Sequence, residues 1–327
     1  MALLSVQNLV TEFHGPGGTA RAVDGVSFDV NAGEIFGIVG ESGCGKSATC
    51  RSIVRLFGGA DARIAGGSVR LDGSGDLATL PERELARIRG RDVAFIFQDP
   101  LTALNPTMRI GRQIAEVVER HRRVSRREAR AIALQLLRDV HVTSPERRLD
   151  AWPHELSGGL RQRVVIAMAL ALRPRLIIAD EPTTALDVTV QDQILRLLLE
   201  RCAATGTAII LVTHDLGVVA EICDRVAVMY GGRFVETGST ATVLASPRHP
   251  YTRALLSALP SRAMRGKPLA PIEGTPPSLT APPPGCRFAP RCPQAAEVCR
   301  AGPPPPLMLH DRATPLHADA CLLEGVR

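Results

Sequence analysis

Eight residues, Gly40-Glu41-Ser42-Gly43-Cys44-Gly45-Lys46-Ser47, have the types and spacing to hold a phosphate chain. The glycines permit backbone angles at which successive N–H groups converge on one anion, and Lys46 and Ser47 complete the pattern G-x-x-x-x-G-K-[ST]. In that pattern Lys46 reaches the β- and γ-phosphates, and the Ser47 hydroxyl, with Ala48 behind it, serves Mg²⁺. Lys46 and Lys267 are the only lysines in an arginine-rich chain. A compact ammonium suits phosphate at this position better than a bulky guanidinium fork. A chance glycine-rich turn is the competing reading, and the apolar run before the loop weighs against it.

Such a loop needs a buried strand to enter it and a helix to leave it. Ile35-Phe36-Gly37-Ile38-Val39 is the strand, and residues 48–56 can form a helix whose positive end points at the phosphates. Three further apolar strands stop at polar residues: 92–97 at Gln98, Leu176-Ile177-Ile178-Ala179 at Asp180-Glu181, and 208–213 at His214. In open parallel sheets the ligand crevice lies beyond the carboxyl ends of the strands, so these groups are placed to meet one phosphate. Gln98 would sense the γ-phosphate or Mg²⁺, Asp180 would hold Mg²⁺ through water, and Glu181 would orient the attacking water. Leu156-Ser157-Gly158-Gly159-Leu160 is a second anion-binding device, a Ser-Gly-Gly turn opening an apolar helix. One chain does not need two such devices for one nucleotide. The second therefore reads as serving a nucleotide held by another copy of the fold.

The remaining elements are legible as patterning. Leu3 to Phe13 and Ala22 to Val30 read as strands joined by a turn, an antiparallel layer ahead of the phosphate loop. Phe13 would stack on a nucleotide base or act as an edge core aromatic; its position leaves both open. From Asn105 to Glu155 the period becomes helical, with Ile110, Ile114 and Val117 on one face. Ser125 and Glu128 form a capping box before Ala129, Ile132, Leu136 and Leu137. Arg225 to Glu236 reads as a hairpin through Gly231-Gly232, and 243–258 as a helical region broken by Pro247 and Pro250. From Pro260 onward proline dominates, which predicts an extended tail.

Composition sets the outer limits. A 327-residue chain, 45% hydrophobic, is long enough for about two domains and a full core. No N-terminal stretch has the makeup of a secretory signal, and the longest apolar run, Val164 to Leu172, falls well short of the roughly 18 residues a spanning helix needs. The net charge of +6 permits an anionic surface as neighbour, but aromatics at 3% supply no base-stacking platform, so nucleic acid is not expected. Cys44, Cys50, Cys202 and Cys223 are scattered, whereas Cys286, Cys292, Cys299 and Cys321 crowd the end of the chain. Four thiolates in a stiff tail suit a [4Fe–4S] cluster or tetrahedral zinc, the latter with His310 or His317 as a substitute ligand, and unliganded thiols are the third reading.

In order, Gly40 to Ser47, Gln98, Leu156 to Gly159, Leu176 to Glu181, Leu186-Asp187 and His214 resemble the ATPase subunit of ABC transporters, over about residues 3–259. The resemblance implies an α/β P-loop NTPase with a mixed, largely parallel sheet, an antiparallel β subdomain and a helical subdomain at about 105–172. It implies domain limits of 1–259 for the nucleotide-binding part and 260–327 for the tail. It further implies a head-to-tail pair with ATP between the phosphate loop of one copy and Leu156 to Leu160 of the other. Leu186-Asp187 would form the loop beside it, and Lys46, Glu181 and His214 would be catalytic. Leu160 departs from the Gln common there; the Ser-Gly-Gly donors remain. Phe97 to Pro106, His249 to Leu256 and the tail from Gly285 resemble the peptide and nickel importer branch, whose tail implies a [4Fe–4S] cluster on the four late cysteines. That branch implies a second ATPase subunit, a paralogue by expectation, two membrane permeases and an extracytoplasmic peptide-binding protein. The chain would sit peripherally at the cytoplasmic face of the membrane. Nickel as cargo, or a soluble ABC ATPase acting on nucleic acid or in iron–sulfur assembly, are the rival readings.

Overall fold

The computed structural model describes residues 2–184, 187–258, 272–309 and 317–323. Leu186, Lys267, His310 and the expected boundary at 259/260 lie outside them. The chain opens with β1 (Leu4–Gly15), β2 (Gly18–Val30), β3 (Ile35–Val39), α1 (Lys46–Ile53), β4 (Ala62–Leu71) and β5 (Gly75–Asp76). A mainly helical stretch follows: α2 (Glu82–Ile88), β6 (Val93–Ile96), α3 (Pro100–Ala103), α4 (Ile110–His121), α5 (Arg126–Asp139), α6 (Pro145–Leu149) and α7 (Gly158–Leu170). Next come β7 (Leu176–Asp180), α8 (Val188–Thr205), β8 (Ala208–Val212), α9 (Leu216–Ile222) and β9 (Arg225–Tyr230). Finally, β10 (Arg233–Ser239), α10 (Thr240–Ala245) and α11 (Pro250–Ser257) precede two short strands, β11 (Met308–Leu309) and β12 (Ala318–Asp319).

These elements form two compact units. The first comprises Ala2–Val30, Ile35–Thr79 and Val212–Arg327. Its antiparallel sheet has the order β2-β1-β4-β5, with β1 paired to β2 through the turn expected before the phosphate loop. Its second set of strands runs β11-β12-β10-β9-β3, mixed in direction: β3 is parallel to β9, and β9 is antiparallel to β10. Phe36 of β3 stacks on Phe28 of β2 with ring centroids 5.0 Å apart, and Phe28 meets Phe234 of β10 at 5.7 Å. Phe36 and Ile38 have no exposed surface, and each such side chain contributes about 1.5–3 kcal/mol on burial. That packing anchors the strand entering the phosphate loop.

The second unit comprises Asn31–Glu34 and Leu80–Leu211. Here β6 and β7 are parallel in the register Val93↔Leu176 to Ile96↔Ala179, with β8 beyond β7. The Ser125 hydroxyl caps α5 by accepting from the Glu128 N–H at 3.2 Å, which is one half of the expected capping box. The buried stripes differ slightly from those read in the sequence. Val118 rather than Val117 is fully buried on α4, and Ala129, Ala133 and Leu137 are the buried face of α5, leaving Ile132 and Leu136 half-exposed. Val164 to Ala167 of α7 are all buried, so beyond Arg163 that helix is apolar around its whole circumference and carries no amphipathic signal.

The tail is not simply extended. Asp319 and Ala318 pair with Glu236 and Thr237 of β10, and Phe288 is buried against Tyr230 and Tyr251 at centroid distances of 5.2 and 5.3 Å. Proline sets the local backbone, but the aromatic cluster offers an apolar face whose coverage by Phe288 is favourable.

Candidate functional site

β3 ends at Val39 and α1 begins at Lys46, so the loop between them is short and constrained. Gly45 has φ +110°, and a Cβ there would stand 2.2 Å from the Ala22 carbonyl oxygen. At Gly40 a Cβ would stand 2.2 Å from the Met229 carbonyl oxygen. Only glycine fits either position. Lys46, 5% exposed, donates from Nζ to the carbonyls of Gly40 at 2.7 Å and Glu41 at 2.9 Å, with Cys44 Sγ at 3.9 Å. The ammonium thus rests on the loop's own backbone at the mouth of the α1 N-terminus, a cradle that fits a triphosphate with Mg²⁺. Burial pushes the Cys44 thiol up, with Lys46 opposing, so it stays protonated and adds no charge.

The loop is also tied from outside. The Gly232 N–H donates to the Cys44 carbonyl at 2.7 Å, and the Glu41 N–H donates to the Tyr251 hydroxyl at 2.8 Å. Thr213 N–H donates to the Ile38 carbonyl at 3.3 Å, so exposed His214 follows a segment lying directly beside the phosphate-loop strand. Phe13 lies edge-on to Phe57, with centroids 6.0 Å apart and rings at 88°. Its aromatic partner is therefore already present within the unit.

In the other unit Asp180 ends β7 with 1% exposure. Glu181 takes φ +48°, a strained value for a side-chain-bearing residue. Gln98 Nε2 donates to Glu181 Oε2 at 3.1 Å, and Thr184 Oγ1 donates to the same oxygen at 2.9 Å. Ser157 is the N-cap of α7, which begins at Gly158-Gly159; buried Leu156 and half-buried Leu160 flank this turn. A Cβ at Gly159 would stand 2.8 Å from Val190 Cγ1 of α8. Asp187 caps α8 by accepting from the Val190 N–H at 2.9 Å. Gly40 to Ala48, Phe13 and His214 thus belong to one unit, and Gln98, Asp180, Glu181, Leu156 to Leu160 and Asp187 to the other.

Cys286, Cys292, Cys299 and Cys321 line one cavity, together with His249 and Phe288. Burial pushes the Cys286 thiol up to about 11, and the neighbouring Cys299 and Cys292 add to the shift. Uncompensated thiolates would repel one another there, and a cationic group would reverse that cost. Among the described residues no three His, Cys, Asp or Glu side chains stand close enough to hold a single metal ion. The donor set fits a thiolate-bound group, whereas the spacing does not fit one tetrahedral ion. His317 is not among the cavity's residues: its Nε2 pairs with Glu236 Oε1 at 2.7 Å, both side chains being buried. Among the described residues, the histidine beside the cysteines is His249. Its Nδ1 accepts from the Tyr251 N–H at 3.1 Å, and burial holds the ring neutral, its pKa lowered to about 3.

Three functional neighbours were not read from the sequence: Tyr251 on the phosphate loop, Thr184 on Glu181, and His249 at the cysteines. Only Thr184, three residues from Glu181, had a local signal in its spacing.

The ABC transporter family model matches residues 23–184, and the model of the oligopeptide/dipeptide transporter C-terminal region matches residues 235–299. A probable peptide ABC transporter ATP-binding protein of Sinorhizobium fredii is 53% identical over 98% of this chain and 94% of its own length. The dipeptide transport ATP-binding protein DppD of Bacillus subtilis is 52% identical, covering 91% and 88%. The oligopeptide transport ATP-binding protein OppD of Escherichia coli is 49% identical, covering 93% and 89%. Among solved structures, a dimeric ATP-binding cassette in a post-hydrolysis state with ADP and Pi superposes with a TM-score of 0.65 at 28% identity, covering 72% of this chain and 98% of that one. With residues 23–184 and 235–299 matched by the two family models and a relative 53% identical over 98% of this chain, the chain belongs to the ABC transporter ATP-binding proteins, in their oligopeptide/dipeptide transporter branch.

Proposed function

We propose that this chain is the ATP-hydrolysing subunit that energises an importer of di- or oligopeptides. The observation that carries the reading is the cradle at Lys46, whose ammonium already occupies loop carbonyls that a phosphate oxygen would replace. Lys46 and the loop amides would bind and stabilise charge on the β- and γ-phosphates, Ser47 and Asp180 would hold Mg²⁺, and His214 would contact the γ-phosphate. Glu181, oriented by Gln98 and Thr184, would direct the attacking water. Ser157 to Gly159 would complete the site of a second ATPase subunit, with Leu186-Asp187 beside it. Glu181→Gln in the assembled transporter tests the role: ATP binding is retained and turnover falls by roughly 100-fold or more. Normal hydrolysis would rule it out.

Among the described residues no helix is long and apolar enough to cross a membrane. The chain would work at the cytoplasmic face against two permease subunits fed by an extracytoplasmic binding protein. An apolar groove in the helical unit, lined by Phe95, Phe97, Ala103, Val117, Val165 and Met168, supports docking of a permease segment there. Peptide cargo is supported by the tail's family match, and uptake of labelled dipeptide rather than nickel by reconstituted transporter discriminates the two. The domain limits 1–259 and 260–327 are kept on composition. Cys286, Cys292, Cys299 and Cys321 would hold a [4Fe–4S] cluster, which supplies a cross-link between four separated tail positions. Zinc is the lesser reading, since the cavity offers His249 rather than His317.

A further inference from the structure

The C-terminal segment reaches the phosphate loop through the Arg291 side chain. Arg291 donates from Nη1 to Glu41 Oε2 at 2.6 Å and from Nη2 to Glu41 Oε1 at 3.0 Å, a two-pronged fork across 250 residues of sequence. Its other N–H groups go to the Tyr230 hydroxyl at 3.1 Å and the carbonyls of Ile272 at 3.0 Å and Glu273 at 2.8 Å, which uses every donor the guanidinium has. The side chain is 5% exposed, and that of Glu41 22%. The Glu41 carboxylate holds the Arg291 guanidinium well above its ordinary range, so the arginine stays a cation.

Glu41 is therefore fixed by three groups. Arg291 holds its carboxylate, the Tyr251 hydroxyl accepts from its N–H, and Lys46 donates to its carbonyl. Two of these lie outside the loop. A bare carboxylate inside a loop built for a triphosphate would repel it, and a loop free to sample other conformations would have to be ordered on binding. The fork removes both costs before nucleotide arrives.

We propose that Arg291 is a positioning residue for the phosphate loop, holding Glu41 in place and cancelling its charge, so that the C-terminal segment sets the affinity for ATP. The inference rests on reading Gly40 to Ser47 as the phosphate loop. Arg291 directly precedes Cys292, so the fork and the cysteine-lined cavity share the turn Ala289–Arg291.

The test is steady-state ATPase kinetics of the assembled transporter carrying Arg291→Gln, Arg291→Lys, Glu41→Gln and the double substitution. Arg291→Gln is expected to raise the KM for ATP about tenfold while kcat stays within about twofold. Arg291→Lys, which keeps the charge and loses the fork, recovers part of that shift, and adding Arg291→Gln to Glu41→Gln has little further effect. An unchanged KM, or a fall in kcat alone that tracks the amount of folded protein, overturns the proposal. Should Arg291→Gln fail to assemble, Arg291→Lys and Glu41→Gln carry the same KM comparison. Absence of ATP binding by the unsubstituted transporter would instead refute the phosphate-loop reading itself.

Discussion

Gln98 Nε2 and Thr184 Oγ1 donate to one oxygen of Glu181, Oε2, at 3.1 and 2.9 Å, so a single carboxylate oxygen is held from a neighbouring strand end and from its own turn. Two donors on one oxygen fix the carboxylate plane. Gln98→Ala is expected to lower kcat roughly tenfold with a smaller effect on KM, because the remaining donor still orients Glu181. Thr184→Val in the same background should lower it further, and single-turnover hydrolysis is the measurement that separates chemistry from release.

Gly159 packs its bare Cα against Val190. An added methyl would stand 2.8 Å from Val190 Cγ1, so Gly159→Ala pushes α7 and α8 apart and should cost about 1–3 kcal/mol of stability, read by urea unfolding. Val190→Ala makes room and is expected to restore most of that stability. If the turn serves a partner's nucleotide, turnover falls in Gly159→Ala and recovers with the stability in the double variant, because removing Val190 Cγ1 lets the backbone donors return to their places.

Tyr251 offers its hydroxyl to the Glu41 N–H, and Tyr251→Phe leaves that donor without its acceptor. A loss of roughly 1–3 kcal/mol is expected. Burial also raises the phenol pKa above its ordinary value, so the native state resists ionisation after the unfolded chain has begun to ionise. The contribution is then full below about pH 10 and is lost as pH rises beyond it. Melting temperatures of the two proteins should therefore converge on the alkaline side, and parallel curves would contradict the assignment.

The four cysteines that share a cavity should fail together. Anaerobically purified protein is expected to carry about four iron and four sulfide per chain with a brown chromophore, and Cys299→Ser to lose both. Zinc at about one per chain with no chromophore would replace the cluster with the other metal.

Much of this site was legible because its geometry is local. Gly40, Gly45, Lys46 and Ser47 stand where one strand-to-helix turn must put them, and any chain making that turn with those glycines presents the same donors. Asp180-Glu181 and Gln98 follow from apolar runs that stop at a polar residue, and the Ser125 cap from its three-residue spacing to Glu128. What required the tertiary structure are contacts that no periodicity encodes. Arg291 meets Glu41 across 250 residues and Tyr251 meets it across 210. The competition for His317 was also invisible in sequence, where it counted as a possible zinc ligand. In the fold the buried carboxylate of Glu236 takes its ring nitrogen and leaves His249 beside the cysteines. The physical reason is common to all three: a charged or polar group buried by packing takes whichever partner the fold brings within about 3 Å, and that choice depends on the arrangement of whole elements rather than on spacing along the chain.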